Sequence, residues 1–195
     1  MLHPELTLVL FGVGGLAAGG VYTILLVTLL TDRRLWPPGE KSPAYYLHWA
    51  FVNVFNVCLL GVAILDWDTW VLPRGVLPVV GAALAGVGIV IFVTGARAME
   101  KDETMGVTGD LYTEGAYAYS RNPQYVGMLI GLVGFTLLCN SALVAVLAGA
   151  HFGWVLLLPR AEEPHLASVY GTEYRSYRRR TPRFVDGRTV RRLLR

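Results

Sequence analysis

Residues 6–30 read LTLVLFGVGGLAAGGVYTILLVTLL, an apolar run of 25 residues without a single charged side chain. A helix needs about 20 apolar residues to cross a bilayer core about 30 Å thick. This run is therefore long enough for one transmembrane helix. Residues 44–65 and 75–95 are also free of charge and meet the same requirement. The first half of the chain thus predicts three transmembrane helices.

The composition of the whole chain agrees with a membrane protein. Of its 195 residues, 54% are hydrophobic and only 16% are charged, and the mean hydropathy is +0.47. Soluble globular chains carry roughly 25% charged residues. These values exclude a soluble globular domain, a disordered chain and a collagen-like repeat. The two cysteines, Cys58 and Cys139, lie inside apolar runs, so a structural disulfide is not expected.

Two shorter apolar segments follow, at residues 125–139 and 142–158, and Asn140 and Ser141 separate them. Both are slightly shorter than a full span, and such a short connection is typical of antiparallel helices. We therefore predict a helical hairpin. The predicted fold is an all-α membrane protein with five transmembrane helices, a C-terminal helical hairpin and an interfacial amphipathic helix.

The basic residues predict the orientation of these spans. With five spans, sixteen of the seventeen Lys and Arg residues fall on the side of the C-terminus, and Arg74 alone falls on the other side. Loops that carry an excess of Lys and Arg remain in the cytoplasm. We therefore expect a multi-pass membrane protein with its N-terminus outside and its C-terminus in the cytoplasm.

Small residues recur four positions apart within the spans. Such spacing lets helix backbones approach closely in lipid. We expect close packing at the pairs Gly81 and Ala85, Ala82 and Gly86, and Gly127 and Gly131. The glycines at positions 12, 14 and 15 resemble a dinucleotide fingerprint, but they lie within a span and do not follow a strand.

The most informative residues flank the predicted hairpin. Residues 113–125 read TEGAYAYSRNPQY, and residues 160–166 read RAEEPHL. A hairpin returns the chain to the side it left, so Arg121, Glu162 and Glu163 are expected at one edge of the membrane. Ionisable residues that converge at the ends of spans indicate a functional site. The alternative is an interfacial Arg–Glu salt bridge flanked by tyrosine anchors.

Five short motifs occur in order over residues 95–185, and together they resemble the isoprenylcysteine carboxyl methyltransferase and phospholipid methyltransferase family of integral membrane enzymes. They are Gly115-x-Tyr117, Arg121-Asn122-Pro123-x-Tyr125-x-Gly127, Glu162-Glu163-x-x-Leu166, Tyr170-Gly171-x-x-Tyr174-x-x-Tyr177 and Pro182-Arg183-Phe184. The resemblance implies a cofactor, S-adenosylmethionine, bound at the cytoplasmic edge.

The resemblance also implies which residues form the site. The expected cofactor contacts are Leu111, Tyr112, Tyr117, Asn122, Pro123, Gln124, Tyr125, Glu162 and Glu163. Arg121 and Glu162 are expected to be catalytic, and Arg160 is expected to contact the substrate. The chain departs from the family at Asn122, where the family usually has His. Asn can hydrogen-bond but cannot titrate near neutral pH.

The C-terminal region continues this pattern. Leu166, Tyr170, Tyr174 and Tyr177 are spaced to share one face of a helix, while the arginines lie mostly elsewhere. This pattern predicts a basic amphipathic helix that lies at an anionic lipid surface and closes over the cofactor. We therefore divide the chain into three N-terminal spans (1–95), a methyltransferase-like cofactor-binding part (96–185) and a basic tail (186–195).

The sequence thus predicts methyl transfer from S-adenosylmethionine to a lipidic or amphiphilic acceptor at the cytoplasmic face. The acceptor is a membrane lipid or a lipidated or small amphiphilic molecule, which methylation would modify on an amine, a carboxylate or a thiol. One alternative is an NADPH-dependent membrane sterol or steroid reductase, because those enzymes show a similar Arg-x-Pro-x-Tyr turn. Another is a non-enzymatic bundle that binds haem or a partner through His48 and His151. We expect no metal site and no nucleic-acid partner.

Overall fold

The computed structural model describes residues 3–70, 72–73 and 75–193, and this part of the chain folds into helices joined by loops. A short 3₁₀ turn covers Gly115–Ala118, and a single isolated β-bridge joins Gly39 to Val107. In chain order the α-helices are α1 (Pro4–Leu30), α2 (Pro43–Leu65), α3 (Leu77–Ala96), α4 (Lys101–Thr104), α5 (Pro123–Cys139), α6 (Ala142–Val169), α7 (Gly171–Arg180) and α8 (Gly187–Leu193).

The starts of the long helices follow from local sequence. A proline occupies the first or second position of α1, α2, α3 and α5, where its missing N–H is not needed and its fixed φ favours the helix. Ser42 caps α2 by accepting the N–H of Tyr45, and Ser141 caps α6 by accepting the N–H of Val144. These signals explain why all five predicted segments begin within two residues of their expected positions.

Four helices, α1, α2, α3 and α6, are long and apolar enough to cross a membrane. Large apolar side chains such as Leu16, Ile64 and Val79 project outwards from them, as expected for surfaces that lipid covers. This pattern indicates a multi-pass membrane protein. Helix α5 is apolar but has only 17 residues, so the fifth predicted span stays a prediction.

Helix α6 is longer than the sequence predicts. We expected it to end at residue 158, but it continues to Val169 and includes both Pro159 and Pro164. A proline removes one backbone hydrogen bond, yet a helix continues past it when the next turns are held by packing. Here Ala161 and Glu163 are buried. As a result, the glutamates lie on the last turns of a single helix.

Helices α3 and α5 are antiparallel and pack with their backbones in close contact. A Cβ on Gly88 would meet the backbones of Gly127 and Gly131, and a Cβ on Gly81 would lie 2.8 Å from the backbone nitrogen of Leu138. The prediction of close packing is therefore confirmed at Gly81 and Gly127. It is wrong at Gly86, where a Cβ would meet nothing within 4 Å, because that position faces away from α5.

This difference gives a matched test of the α3–α5 contact. We expect Gly88→Ala to destabilise the protein by about 1–3 kcal/mol, because the added methyl group forces two backbones apart. Gly86→Ala should be neutral or slightly stabilising, because alanine favours the helix. Melting curves in detergent would compare the two variants, and equal melting temperatures would contradict this packing.

The main core lies between α1, α2 and α6, and the two buried histidines are at different levels of it. His151 packs on Trp154 and against Phe55, whereas the ring of His48 stacks on Trp36. Phe55 follows His48 by seven residues on α2, which corresponds to about 10 Å along the axis. The two imidazoles therefore do not face each other across a haem-sized gap.

Candidate functional site

A cavity lies at the end of the bundle where α5 begins and α6 ends. It encloses about 1000 Å³, including its open mouth. Its walls come from the loop before α2, the segment before α5, the last turns of α6, and α7. The structure brings together nearly all predicted site residues in this lining, namely Leu111, Tyr112, Tyr117, Arg121, Asn122, Gln124, Tyr125, Glu162 and Glu163.

Two predicted residues do not line the cavity. Pro123 is buried at the start of α5, where its ring packs against Gly95 of α3. Arg160 is exposed, and its guanidinium donates to the carbonyl of Leu156 on the preceding turn, at 2.7 Å. Contact between Arg160 and a substrate therefore stays a prediction.

Glu162 is held in the cavity wall by two neutral donors. Its Oε1 accepts from the Tyr125 hydroxyl at 2.6 Å and from the Trp36 indole N–H at 2.9 Å. Among the described residues, none donates a hydrogen bond to Oε2. Because no basic group pairs with this carboxylate in the described part of the chain, it keeps its capacity to bind a positively charged or hydroxyl-bearing ligand.

Glu163 has a different environment. Both of its oxygens accept from Arg183, at 2.7 and 2.8 Å, and Arg121 lies 3.1 Å from Oε1. The side chains of Arg121 and Glu163 are 9% and 8% exposed. The salt bridge that the sequence offered as an alternative thus exists, but it uses Glu163. This arrangement favours a structural role for Glu163.

Asn122 ties the start of α5 to the chain after α7. Its side-chain amide donates to the carbonyl of Arg183 at 2.9 Å, and the backbone N–H of Arg121 donates to the carbonyl of Pro182 at 2.9 Å. An imidazole N–H can make the same kind of hydrogen bond. The departure from the family's usual His therefore keeps the donor that this contact requires.

The tyrosines of α7 face the protein instead of a lipid surface. Tyr174 and Tyr177 are buried against Tyr117, and the Tyr177 hydroxyl donates to the Tyr117 carbonyl at 2.7 Å. The expected amphipathic helix is also divided, because Leu166 belongs to α6 and α7 begins only at Gly171. These residues do share one face, as their spacing predicted, but that face lines the cavity instead of contacting lipid.

These tyrosines stay neutral over the physiological pH range. Burial raises the pKa of Tyr117 and the pKa of Tyr174 to about 12, and it also raises the pKa of Tyr177. At neutral pH they are therefore hydrogen-bond donors and apolar surfaces, and they do not act as bases.

The segment before α5 is fixed by one carboxylate. Glu103 accepts the Tyr112 hydroxyl at 2.7 Å and the backbone N–H groups of Asp110 and Glu100 at 2.9 and 2.8 Å. Burial alone would raise the pKa of Glu103, but these hydrogen bonds together lower it. The hydrogen bond to Glu103 raises the pKa of Tyr112 to about 12. Glu103 thus positions Leu111 and Tyr112 on the cavity wall.

The lining also contains residues that the sequence did not single out, among them Trp36, Glu103 and His165. Trp36 shows only the pattern of an aromatic residue near the end of a span, which is common at membrane interfaces. His165 contacts Arg34 through Nδ1 and Thr108 through Nε2, the latter at 3.1 Å. These contacts join distant parts of the chain, and no local motif marks them.

Long apolar helices, with a polar, tyrosine-rich cavity at one end of the bundle, indicate a multi-pass α-helical membrane protein. The profile described as phospholipid methyltransferase matches residues 76–173. This chain belongs to that family of membrane methyltransferases, as its motifs predicted.

Three curated proteins are similar to this chain. A cobalt-zinc-cadmium resistance protein, CzcN of Cupriavidus metallidurans, is 35% identical over 145 residues, covering 70% of this chain and 61% of that protein. A nickel-cobalt-cadmium resistance protein, NccN of Alcaligenes xylosoxydans xylosoxydans, is 29% identical over 124 residues, covering 61% and 54%. The protein-S-isoprenylcysteine O-methyltransferase of Schizosaccharomyces pombe is 36% identical over 74 residues, covering 37% and 31%.

The chain therefore spans at most 61% of the length of these relatives. No solved structure matches it significantly. The family match does not favour the NADPH-dependent reductase alternative. Within the described residues, no group of three or more His, Cys, Asp or Glu side chains is placed to hold a metal ion.

Proposed function

We propose that this protein is an integral membrane methyltransferase that binds S-adenosylmethionine in the cavity and methylates a lipidic or amphiphilic acceptor. The observation that carries this proposal is the arrangement of Glu162. A carboxylate held by two neutral donors, with one oxygen left for a ligand, lines a cavity in a family of membrane methyltransferases.

The residues of the cavity fit the chemistry of this cofactor. S-adenosylmethionine has a sulfonium, an ammonium, a carboxylate, ribose hydroxyls and an aromatic base. The Glu162 carboxylate suits the ammonium or the hydroxyls. The Nε of Arg121 is buried without a hydrogen-bond partner among the described residues, and it suits the carboxylate of the cofactor. The neutral tyrosines suit the aromatic base.

The cofactor supplies the activated methyl group, so the protein contributes binding, orientation and exclusion of water. The Glu103-anchored loop and the tyrosines of α7 close two sides of the cavity. Its polar groups lie where α5 begins and α6 ends, next to the lipid-facing surfaces of the bundle. This position supports an acceptor that comes from the membrane, such as a lipid headgroup or a lipidated or small amphiphilic molecule.

We further propose that α5 is a fifth span, that the N-terminus is outside, and that the cavity and the C-terminus face the cytoplasm. The excess of Lys and Arg on the side of the C-terminus supports this orientation. With Cys58 and Cys139 replaced by alanine, a cysteine introduced at Thr108 should react with impermeant maleimide only after the cells are opened. A cysteine at Thr69 should react in intact cells, and the reverse pattern would contradict the orientation.

An activity assay tests the proposed reaction. Membranes that contain the protein would be incubated with S-adenosylmethionine carrying a radioactive methyl group. We expect labelled products that extract into organic solvent, and we expect Glu162→Gln to reduce them strongly. Equal labelling with wild type and variant, at equal protein levels, would contradict the role of this cavity in methyl transfer.

A further inference from the structure

Trp36 is an unusually well-fixed residue in the loop between α1 and α2. Its side chain is only 3% exposed. Its indole ring stacks on His48 with a centroid distance of 3.8 Å and an interplanar angle of 22°. The backbone N–H groups of Leu35 and Trp36 both donate to the Oγ1 of Thr28, each at 3.1 Å. The loop is thus anchored to the end of α1.

A glycine is required where the chain after α4 meets Trp36. A Cβ on Gly106 would lie 2.8 Å from the six-membered ring of Trp36, and the φ of Gly106 is +93°. Both the space and the backbone conformation therefore exclude a larger residue. Held by His48, Thr28 and Gly106, the indole has one available orientation.

The fixed indole directs its N–H at the carboxylate in the cavity. A tryptophan side chain has a single donor and no acceptor, and here that donor points at Glu162 Oε1, 2.9 Å away. Tyr125 donates to the same oxygen. Two donors that converge on one oxygen fix the rotation of the carboxylate and leave the other oxygen for a ligand.

We propose that Trp36 is a positioning residue, which holds the Glu162 carboxylate in the orientation that binds the cofactor. The inference rests on the proposed function and extends it to residues outside the segment that matches the family. The site is then complete only with the loop between α1 and α2, which precedes that segment.

Trp49 provides a matched control for this role. It lies near Trp36, with a centroid distance of 6.3 Å, and its indole N–H donates to the backbone carbonyl of Met105 at 3.0 Å. Trp49 does not line the cavity. Trp36→Phe and Trp49→Phe therefore each remove one indole hydrogen bond at the same end of the bundle, but only the first affects Glu162.

The test is a titration of S-adenosylhomocysteine into the detergent-purified full chain. We expect Trp36→Phe to weaken binding about five- to thirtyfold, somewhat less than the full loss of a hydrogen bond to a charged group, because Tyr125 still donates to the same oxygen. Trp49→Phe should change affinity less than about twofold, because the bond it loses is outside the cavity. In a Glu162→Gln background, Trp36→Phe should add less than about threefold, because both changes act on the same interaction.

Several results would overturn the inference. If Trp36→Phe leaves affinity unchanged, or weakens it equally with and without Glu162→Gln, then Trp36 does not act through Glu162. If wild type fails to bind, the proposed function fails and this inference fails with it. Should Trp36→Phe not fold, Thr28→Val removes the anchor of the loop and should also weaken binding. Thr23→Val, which removes only a bond to the Gly19 carbonyl within α1, is its control and should not.

Discussion

Glu163→Gln should lower the free energy of unfolding by about 3–5 kcal/mol, the usual loss when one partner of a buried ion pair is removed. Glu163 accepts both hydrogen bonds from Arg183 and also pairs with Arg121. Arg121 belongs to the turn before α5, and Arg183 belongs to the segment after α7. Without the carboxylate, the buried guanidinium of Arg121 has no counter-charge, and the segment after α7 loses its attachment to α6.

Melting curves in detergent would measure this effect. The surface pair of Lys41 and Asp102, at 2.7 Å, provides the control, because its side chains are 48% and 49% exposed. Asp102→Asn should change the free energy of unfolding by less than about 1 kcal/mol. A Glu163→Gln variant that melts like wild type would show that the triad does not hold these segments together.

Glu162→Gln should weaken the binding of S-adenosylhomocysteine about tenfold to a hundredfold, the range of a charge-assisted hydrogen bond. The substitution keeps the volume and leaves a carbonyl oxygen that can accept from Trp36 and Tyr125. In place of Oε2 it puts an amide NH2, which carries no charge and donates hydrogen bonds instead of accepting them. The melting temperature should therefore change little, unlike that of Glu163→Gln.

The two glutamates are adjacent in sequence, so their variants test the assignment as a pair. Consecutive residues on a helix point about 100° apart, which directs Glu162 to Trp36 and Tyr125 and directs Glu163 to Arg121 and Arg183. If Glu163→Gln lost affinity with its fold intact while Glu162→Gln only lost stability, the two roles would be reversed.

Much of the helical architecture could be predicted because its signals are local. The apolar runs set the lengths of the long helices, and prolines and serines set the starts of α2, α5 and α6. The end of α6 could not be predicted in this way. Pro159 and Pro164 usually mark helix ends, and only the packing of the following turns keeps this helix continuous.

Part of the site could also be predicted from the sequence. Motif spacing on α5 and α6 identified the residues that meet at the cavity, because the connection between these helices is short. It could not decide which glutamate pairs with Arg121, since that depends on the rotation of α6. Nor could it find Trp36, whose contact with Glu162 joins residues 126 positions apart.

The central claim is that the cavity binds S-adenosylmethionine, and direct titration of the wild-type protein tests it most closely. Purified protein would be titrated with S-adenosylhomocysteine and, in parallel, with NADPH, and a melting curve would confirm that it is folded. The proposal predicts saturable binding of one S-adenosylhomocysteine per chain, displaced by S-adenosylmethionine but not by NADPH. A folded protein that binds NADPH, or that binds no S-adenosylhomocysteine, would contradict it.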